Sequence, residues 1–222
     1  MDLHVLHDAA TVARLAGADA PLCERLGLSV EDPSRVLVAF VGGNPLGPGW
    51  LVDLELPSER IGSWSGTLAH EAVADGDLFA AHPHNWMQPG PEALEAHLDE
   101  VLPQFERAGR RLCLFPHARH VLSDVQGAIN LIRARRDSPL EIALCPTSIL
   151  TPGMLGSLEE HLERSFGTLA EHAPFLYLHD VVVEEDERLR PVPLGEGVLD
   201  RDLVLAAIDR FCLLYTSDAA DE

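Results

Sequence analysis

Histidine follows three apolar, strand-like runs in this chain. His82-Pro83-His84-Asn85 closes the run Leu78–His82, His117-Ala118-Arg119-His120 closes Arg111–Pro116, and His179-Asp180 closes Phe175–His179. Because the C-terminal ends of parallel strands meet at one rim, these side chains are predicted to converge there. Imidazole together with carboxylate suits a divalent Zn, Mn or Fe ion or a polyhydroxylated ligand. The alternative for each histidine is a solvated side chain or a strand cap.

The other histidines are not part of this rim. They lie on predicted helices or loops and are expected at the surface: His4, His7, His70, His97, His161 and His172.

The rim residues need a parallel sheet to position them, and the chain from residue 77 onward predicts one. Strand-like runs at 78–82, 111–116, 140–145 and 175–179 alternate with helical patterns at 91–108, 124–136 and 154–171. Steps of about 30 residues are the size of a strand plus a crossover helix, so an α/β fold follows. A closed (βα)₈ barrel and an open doubly wound sheet both fit this repeat.

The first 76 residues are less regular. Ala9–Leu26 predicts a helix, Val36–Val41 a strand, Gly42–Gly49 a loop and Trp50–Leu56 a further strand. Three complete βα units would need more residues than this, at ~250 per barrel. The N-terminal third is therefore expected to be irregular, and no linker indicates a second domain.

Composition excludes several function classes. The formal net charge is −20, which argues against nucleic acid as a partner. The chain has no lysine, so a P-loop, Schiff-base chemistry and pyridoxal-phosphate attachment are excluded, and no NAD or nucleotide signature occurs. Cys23, Cys113 and Cys145 have no CxxC spacing and are expected to be reduced thiols. With no apolar run of ~20 residues and no signal peptide, we expect a cytoplasmic protein that does not enter membranes.

A later segment carries a family resemblance. Phe175-Leu-Tyr-Leu-His-Asp180 is followed by a loop, then by Pro193–Asp200 with its Gly195-Glu196-Gly197 turn, then by a helix Arg201–Phe211 that Asp200 could cap. This succession resembles the late portion of the xylose-isomerase-like TIM barrels, whose late strand typically reads His-Leu-Lys-Asp. The family includes sugar phosphate isomerases, epimerases and related metal-dependent endonucleases. The resemblance implies a TIM-barrel-like (βα)₈ fold.

The resemblance also implies where metal ligands would lie. The family places a Glu on strand five, an Asp on strand six and a His on strand seven, which align here with Phe115, Cys145 and Tyr177. The histidine that follows the family's Asp aligns with Ser148. His117 matches a family histidine.

Rim position and alignment together give the predicted site. Its metal ligands are His117, His179, Asp180 and His82, and its substrate contacts are His84, Arg119, His120, Tyr177 and Cys145. His179 lies two residues from Tyr177 and so faces the same way on a strand.

The implied activity is that of a sugar phosphate isomerase or epimerase acting on a small carbohydrate-type metabolite. Proton transfer beside a carbonyl would use two carboxylates and a divalent metal, but this chain shows neither carboxylate. Three alternatives stay open. One is a metal-dependent hydrolase on a TIM barrel, using His82, His84, His117 and His179. The second is a non-catalytic barrel that serves as a binding or assembly module, and the last is a nuclease, which the net charge of −20 disfavours.

The last eleven residues, Cys212–Glu222, match one reading frame of a transposon-type sequencing adapter. We expect them not to be native, which leaves residues 1–211 as one partial barrel domain. The family's eighth strand, with its metal-binding Glu, would then be missing, and the open edge would favour aggregation.

Overall fold

The computed structural model of the chain describes residues 4–19, 23–185 and 188–212. Their contacts group into two compact units. The first comprises the described residues of Met1–Phe115, Arg119–Val121 and Arg135–Glu141, and the second those of Pro116–Ala118, Leu122–Ala134 and Ile142–Glu222. Helices and strands occur in both, so the chain is a mixed α/β protein.

The first unit is built on a sheet that is only partly parallel. Its strands neighbour one another in chain order: β1 His4–Asp8, β2 Arg25–Ser29, β3 Val36–Phe40, β4 Arg60–Trp64, β5 Arg111–Phe115 and β6 Leu140–Ile142. The pairs β1–β2 and β2–β3 are antiparallel, whereas β3–β4 and β4–β5 are parallel. Within the described residues no pairing joins β6 back to β1, so the sheet does not close as a barrel.

Strand β4 lies between β3 and β5, and sequence patterning did not predict it. Gly62 explains its place, because a Cβ atom there would come within 2.8 Å of both Phe115 Cε2 and Val38 Cγ2. Only glycine lets the large side chains of the neighbouring strands cover this position. Ile61 beside it is fully buried.

The helices of the first unit are α1 Ala9–Ala16, α2 His70–Ala74 and α3 Pro89–Ala108. Helix α3 confirms the prediction for 91–108 and buries a stripe of apolar residues at three- and four-residue spacing: Leu94, Leu98, Val101, Leu102 and Phe105. It ends at Gly109, which adopts φ 62° and donates to the carbonyl oxygens of Glu106 and Phe105.

The second unit contains α4 Val125–Ala134, α5 Leu158–Leu169 and α6 Arg201–Cys212, with a hairpin of β7 Asp180–Val183 and β8 Leu189–Val192. A 3₁₀ helix, Pro152–Ser157, precedes α5. Helices α5 and α6 pack together through stacked Phe166 and Phe211, 6.1 Å between ring centroids. The predicted cap of α6 is confirmed, because the Asp200 carboxylate accepts from Leu203 N at 3.2 Å.

The predicted strand Leu78–His82 is wrong. The chain turns at Gly76, with φ 96°, and the Asp77 carboxylate then accepts from Phe79 N at 3.1 Å. A 3₁₀ helix, Pro83–Trp86, follows at once. An apolar run therefore forms a turn here, since local side-chain bonds and Pro83 oppose an extended ladder. His82 and His84 thus lie on a turn, not at the end of a strand.

The predicted strand Phe175–His179 survives only as an isolated parallel bridge between Leu176 and Leu144. The regular strand β7 begins at Asp180, and the segment predicted as a loop after Asp180 contains the rest of β7 and all of β8, which pair as a hairpin. Likewise, Leu140–Cys145 is a strand only to Ile142.

Two N-terminal predictions are also wrong. The helix predicted over Ala9–Leu26 stops at Ala16, because Gly17 adopts φ 68° and closes it, and strand β2 begins at Arg25. Trp50–Leu56 has no strand structure.

Of the adapter-like tail, only Cys212 is described, and it is the last residue of α6. Residues 213–222 lie outside the described residues. None of the described helices has the length and apolar character that crossing a membrane requires.

Candidate functional site

The strongest candidate site, in the second unit, is a contact between Ser148 and His179. The Ser148 hydroxyl lies 3.0 Å from His179 Nε2. On the other side of the ring, Nδ1 lies 2.9 Å from the main-chain oxygen of Asp180. Ser148 is 4% exposed, while His179 is partly buried.

These two contacts fix the tautomer of His179. A carbonyl oxygen can only accept, so Nδ1 carries the proton and donates to Asp180 O. Nε2 is then left with its lone pair and accepts the hydroxyl proton of Ser148. Burial lowers the pKa of His179, although the Asp180 carbonyl and carboxylate both act to raise it. The ring is therefore neutral near pH 7, with its basic nitrogen facing a hydroxyl.

Asp180 holds the Gly-x-Gly turn in place. Its Oδ2 accepts from Gly195 N at 3.1 Å and from Gly197 N at 3.0 Å. Its Oδ1 accepts from Val181 N at 2.7 Å and from Leu199 N at 3.1 Å. Burial raises the pKa of this carboxyl, but the four backbone donations outweigh it and leave the pKa below its ordinary value.

A second Ser–His pair in this unit has a different arrangement. Ser165 Oγ lies 3.5 Å from His161 Nε2, but the same nitrogen lies 3.0 Å from the carbonyl oxygen of Pro146. The Ser165 hydroxyl donates instead to His161 O at 2.9 Å. His161, like His4 and His97 of the first unit, is partly buried, so these three histidines are less exposed than predicted.

The remaining predicted residues of the second unit are Tyr177, Cys145 and His117, of which Tyr177 contacts His179. The Tyr177 ring is 5.5 Å from that of His179 between centroids, and its backbone N donates to Leu144 O at 2.8 Å. Cys145 is 2% exposed and lies in the core. His117 is partly buried, and its backbone N donates to Leu122 O.

In the first unit, His120 is fully buried. Its ring stacks on Phe79 with centroids 5.1 Å apart, lies edge-on to Trp64, and its Nε2 donates to Leu78 O at 3.1 Å. Burial lowers the pKa of His120 to about 4, the bond to Leu78 O opposing it. His120 is thus a neutral core residue, while His82 and His84 contact each other with centroids 5.1 Å apart.

A buried amide network in the first unit joins the loops after β3, β4 and β5, and sequence patterning gave no signal for it. Asn85 Nδ2 donates to Thr67 Oγ1 at 2.8 Å and to Arg119 O at 2.7 Å, and Asn85 Oδ1 accepts from Leu68 N. Asn44 exchanges two hydrogen bonds with the Thr67 backbone. Arg119, predicted to contact substrate, takes part in this network through its main-chain carbonyl oxygen, which accepts from Asn85.

The predicted metal ligands divide between the two units, with His82 in the first and His117, His179 and Asp180 in the second. Among the described residues no three His, Cys, Asp or Glu side chains form a group that could hold a metal ion. Both nitrogens of His179 and both carboxylate oxygens of Asp180 already have protein partners. A metal ion at either residue would have to displace these hydrogen bonds.

Comparisons with known proteins add little to this geometry. No protein-family model matches the chain, and no curated protein matches it. A solved structure, mannonate dehydratase from Streptococcus suis serotype 2, aligns over 62% of this chain at 14% identity, with a TM-score of 0.39. The chain covers 44% of that protein's length. A TM-score this low assigns neither a fold family nor a function.

Proposed function

We propose that the protein is an isomerase- or epimerase-like enzyme that moves a proton on a small carbohydrate-type metabolite, with His179 as the proton-transfer group. The observation that supports this is the unprotonated Nε2 of His179, held in one tautomer by Asp180 O. The substrate class comes from the resemblance of the Phe175–Asp180 and Pro193–Asp200 segments to sugar phosphate isomerases. A TIM-barrel-like fold, implied by the same resemblance, belongs to the proposal, although the sheet formed by the described residues does not close.

The chemistry needs a base whose pKa lies near the working pH. A carbon-bound proton beside a carbonyl is removed and returned, and a positioned imidazole contributes about 10²–10⁴-fold to such a step. Burial keeps His179 neutral, so it can accept that proton, and the nearby Asp180 carboxylate favours the imidazolium that forms. The Ser148 hydroxyl donates to Nε2 in the absence of substrate. In this proposal the substrate takes its place at Nε2, and the Ser148 hydroxyl then donates to a substrate hydroxyl.

A divalent metal remains a separate prediction. The described side chains do not form a ready set of ligands, so each step of this proposal uses the protein's own groups. The predicted set His82, His117, His179 and Asp180 can be tested by measuring zinc, manganese and iron content after dialysis.

The experiment is hydrogen exchange in D₂O with a panel of free sugars and their phosphate esters, including fructose, glucose and xylulose. We expect deuterium at the carbon beside the carbonyl of one probe, detected by proton NMR. His179→Gln should lower the exchange rate by about a hundredfold or more.

The matched control is His161→Gln, because His161 is also partly buried in the second unit, but its Nε2, the nitrogen that faces Ser165, carries the proton and donates it to Pro146 O. It should retain the exchange rate. Equal loss in both variants would assign the effect to folding. No exchange with any probe would favour the non-catalytic binding module.

A further inference from the structure

The two Ser–His pairs of the second unit differ in which ring nitrogen the main chain engages. At His161, the Pro146 carbonyl oxygen is 3.0 Å from Nε2, the nitrogen that also faces Ser165. At His179, the main-chain oxygen engages Nδ1 and leaves Nε2 to face Ser148. The two pairs therefore have opposite proton positions.

The consequence for Ser165 is that it has no base. Nε2 of His161 donates its proton to Pro146 O, so it offers no lone pair to a hydroxyl. Accordingly, the Ser165 hydroxyl donates to a main-chain oxygen, at 2.9 Å. This pair is structural.

The consequence for Ser148 is the reverse. Its hydroxyl proton points to the lone pair of His179 Nε2, and the proton on Nδ1 is held by a third group, the Asp180 carbonyl oxygen. A hydroxyl, a base within hydrogen-bond reach and an orienting group behind the base form the arrangement that activates a serine. Here a main-chain oxygen takes the position that a carboxylate occupies in the usual triad.

We propose that Ser148 is a nucleophile for acyl transfer from small activated esters, with His179 as its general base. Ser148 Oγ forms a bond to the acyl carbon while its proton moves to His179 Nε2, and the ester C–O bond breaks. The proton passes from Nε2 to the leaving alcohol. Water then hydrolyses the acyl-serine by the same proton route.

Asp180 serves this step as a positioning residue. Its carbonyl oxygen holds the orientation of the His179 ring, and four backbone N–H groups anchor its carboxylate and so fix the position of that carbonyl. The second activity does not depend on the proposed isomerase chemistry, although both use His179.

The test uses p-nitrophenyl acetate, which carries a small acyl group suited to a serine residue that is only 4% exposed. We expect a burst of p-nitrophenol and a peptide acetylated at Ser148, located by mass spectrometry. Because the chain has no lysine, the usual background of acetylated amines is confined to the N-terminus.

Three variants of the full chain distinguish activation of the Ser148 hydroxyl by His179 from simple accessibility of a serine to the ester. Ser148→Ala should remove the burst and the modified peptide, and Ser165→Ala should retain both. His179→Gln keeps a hydrogen-bonding side chain beside Ser148 but removes the base, so acetylation should slow about a hundredfold. Far-UV circular dichroism of each variant checks folding.

The proposal is overturned if wild-type protein gives no acetyl-Ser148, if Ser165 is acetylated as fast, or if folded His179→Gln is acetylated at the wild-type rate. Acetylation of Ser148 without deuterium exchange on sugars would support the nucleophile proposal and refute the isomerase proposal. Deuterium exchange without acetylation would support the isomerase proposal and refute the nucleophile proposal.

Discussion

Replacing Asp180 with Asn tests whether one carboxylate holds the Gly-x-Gly turn of the second unit. Each carboxylate oxygen accepts two backbone N–H groups: Oδ1 from Val181 and Leu199, and Oδ2 from Gly195 and Gly197. An Asn side chain has one acceptor oxygen and one NH₂ group. In either orientation of the amide, two backbone donors would therefore face another donor.

The magnitude follows from those two lost bonds. Hydrogen bonds to a charged group contribute about 1.5–3 kcal/mol each, which gives an upper value of about 6 kcal/mol. Asp180 is 3% exposed, but Gly195 and Gly197 lie in a more exposed turn where water can replace part of the loss. We expect Asp180→Asn to lower the free energy of unfolding by about 2–4 kcal/mol at pH 7.

The pH dependence has a definite sign. The pKa of Asp180 is lowered in the folded protein, so its contribution is complete above the unfolded value of 3.8 and is lost as pH falls through the folded pKa. The difference between wild type and Asp180→Asn should therefore shrink at about pH 3. Urea unfolding followed by far-UV circular dichroism at both pH values measures it.

Glu196→Gln is the matched control, since it removes the same charge from an exposed position in the same turn. A loss for Asp180→Asn no larger than for Glu196→Gln would refute the argument. So would a difference that stays constant between pH 7 and pH 3, because it could not come from the ionised carboxylate.

Two further predictions concern the first unit. His120→Gln should make the free energy of unfolding less dependent on pH. In the wild type, burial lowers the pKa of His120 from 6.5 to about 4, so the protein loses roughly 3 kcal/mol of stability as pH falls between these values. Urea unfolding at several pH values measures this dependence, and an equal dependence in both proteins would contradict the prediction. Asn85→Ala and Thr67→Val should each destabilise by about 1–3 kcal/mol, and the double variant by less than their sum. Thermal unfolding of the three proteins checks this, and strict additivity would show that the two side chains do not act as one network.

Sequence patterns predicted the helices and strands whose structure follows from their own local sequence. Helix α3 has an apolar stripe, a proline in its first turn and a glycine after its end, so the sequence predicted its end at Ala108 and placed its start within two residues of Pro89. Strand β5, Arg111–Phe115, has an apolar run from Leu112 to Phe115 that is buried at every position, so side chains on both faces of the sheet are covered. These elements need no information from distant residues.

The wrong predictions occur where contacts with residues distant in the sequence determine the local structure. Leu78–His82 is as apolar as a strand, but the sheet position beside β5 is occupied by β4, whose polar and glycine content gave it no strand signal. Gly62 weakens a strand by propensity, yet it is required by the contact with Phe115 and Val38. Local propensity and tertiary packing conflict there, and packing decides.

The candidate site was predicted in its residues more than in its chemistry. His179 and Asp180 follow from their position after an apolar run, but the sequence favoured them as metal ligands, a prediction that the structure leaves open. What the sequence does not contain is the placement of two main-chain oxygens, Asp180 O and Pro146 O, on different nitrogens of two histidines. Those oxygens carry no side-chain identity, so no residue pattern can report them.

The same reasoning explains why Ser148 becomes a candidate only in three dimensions. Aligned with the resembling family, it stands where a histidine is usual, which by itself indicates the loss of a ligand. Beside a His179 of fixed tautomer, its hydroxyl becomes the donor to a basic nitrogen. Ser165 has the same residue type and a histidine at similar distance, yet its partner nitrogen is already protonated. The proton position on each ring, set by one carbonyl, is therefore what distinguishes a candidate nucleophile from a structural serine in this protein.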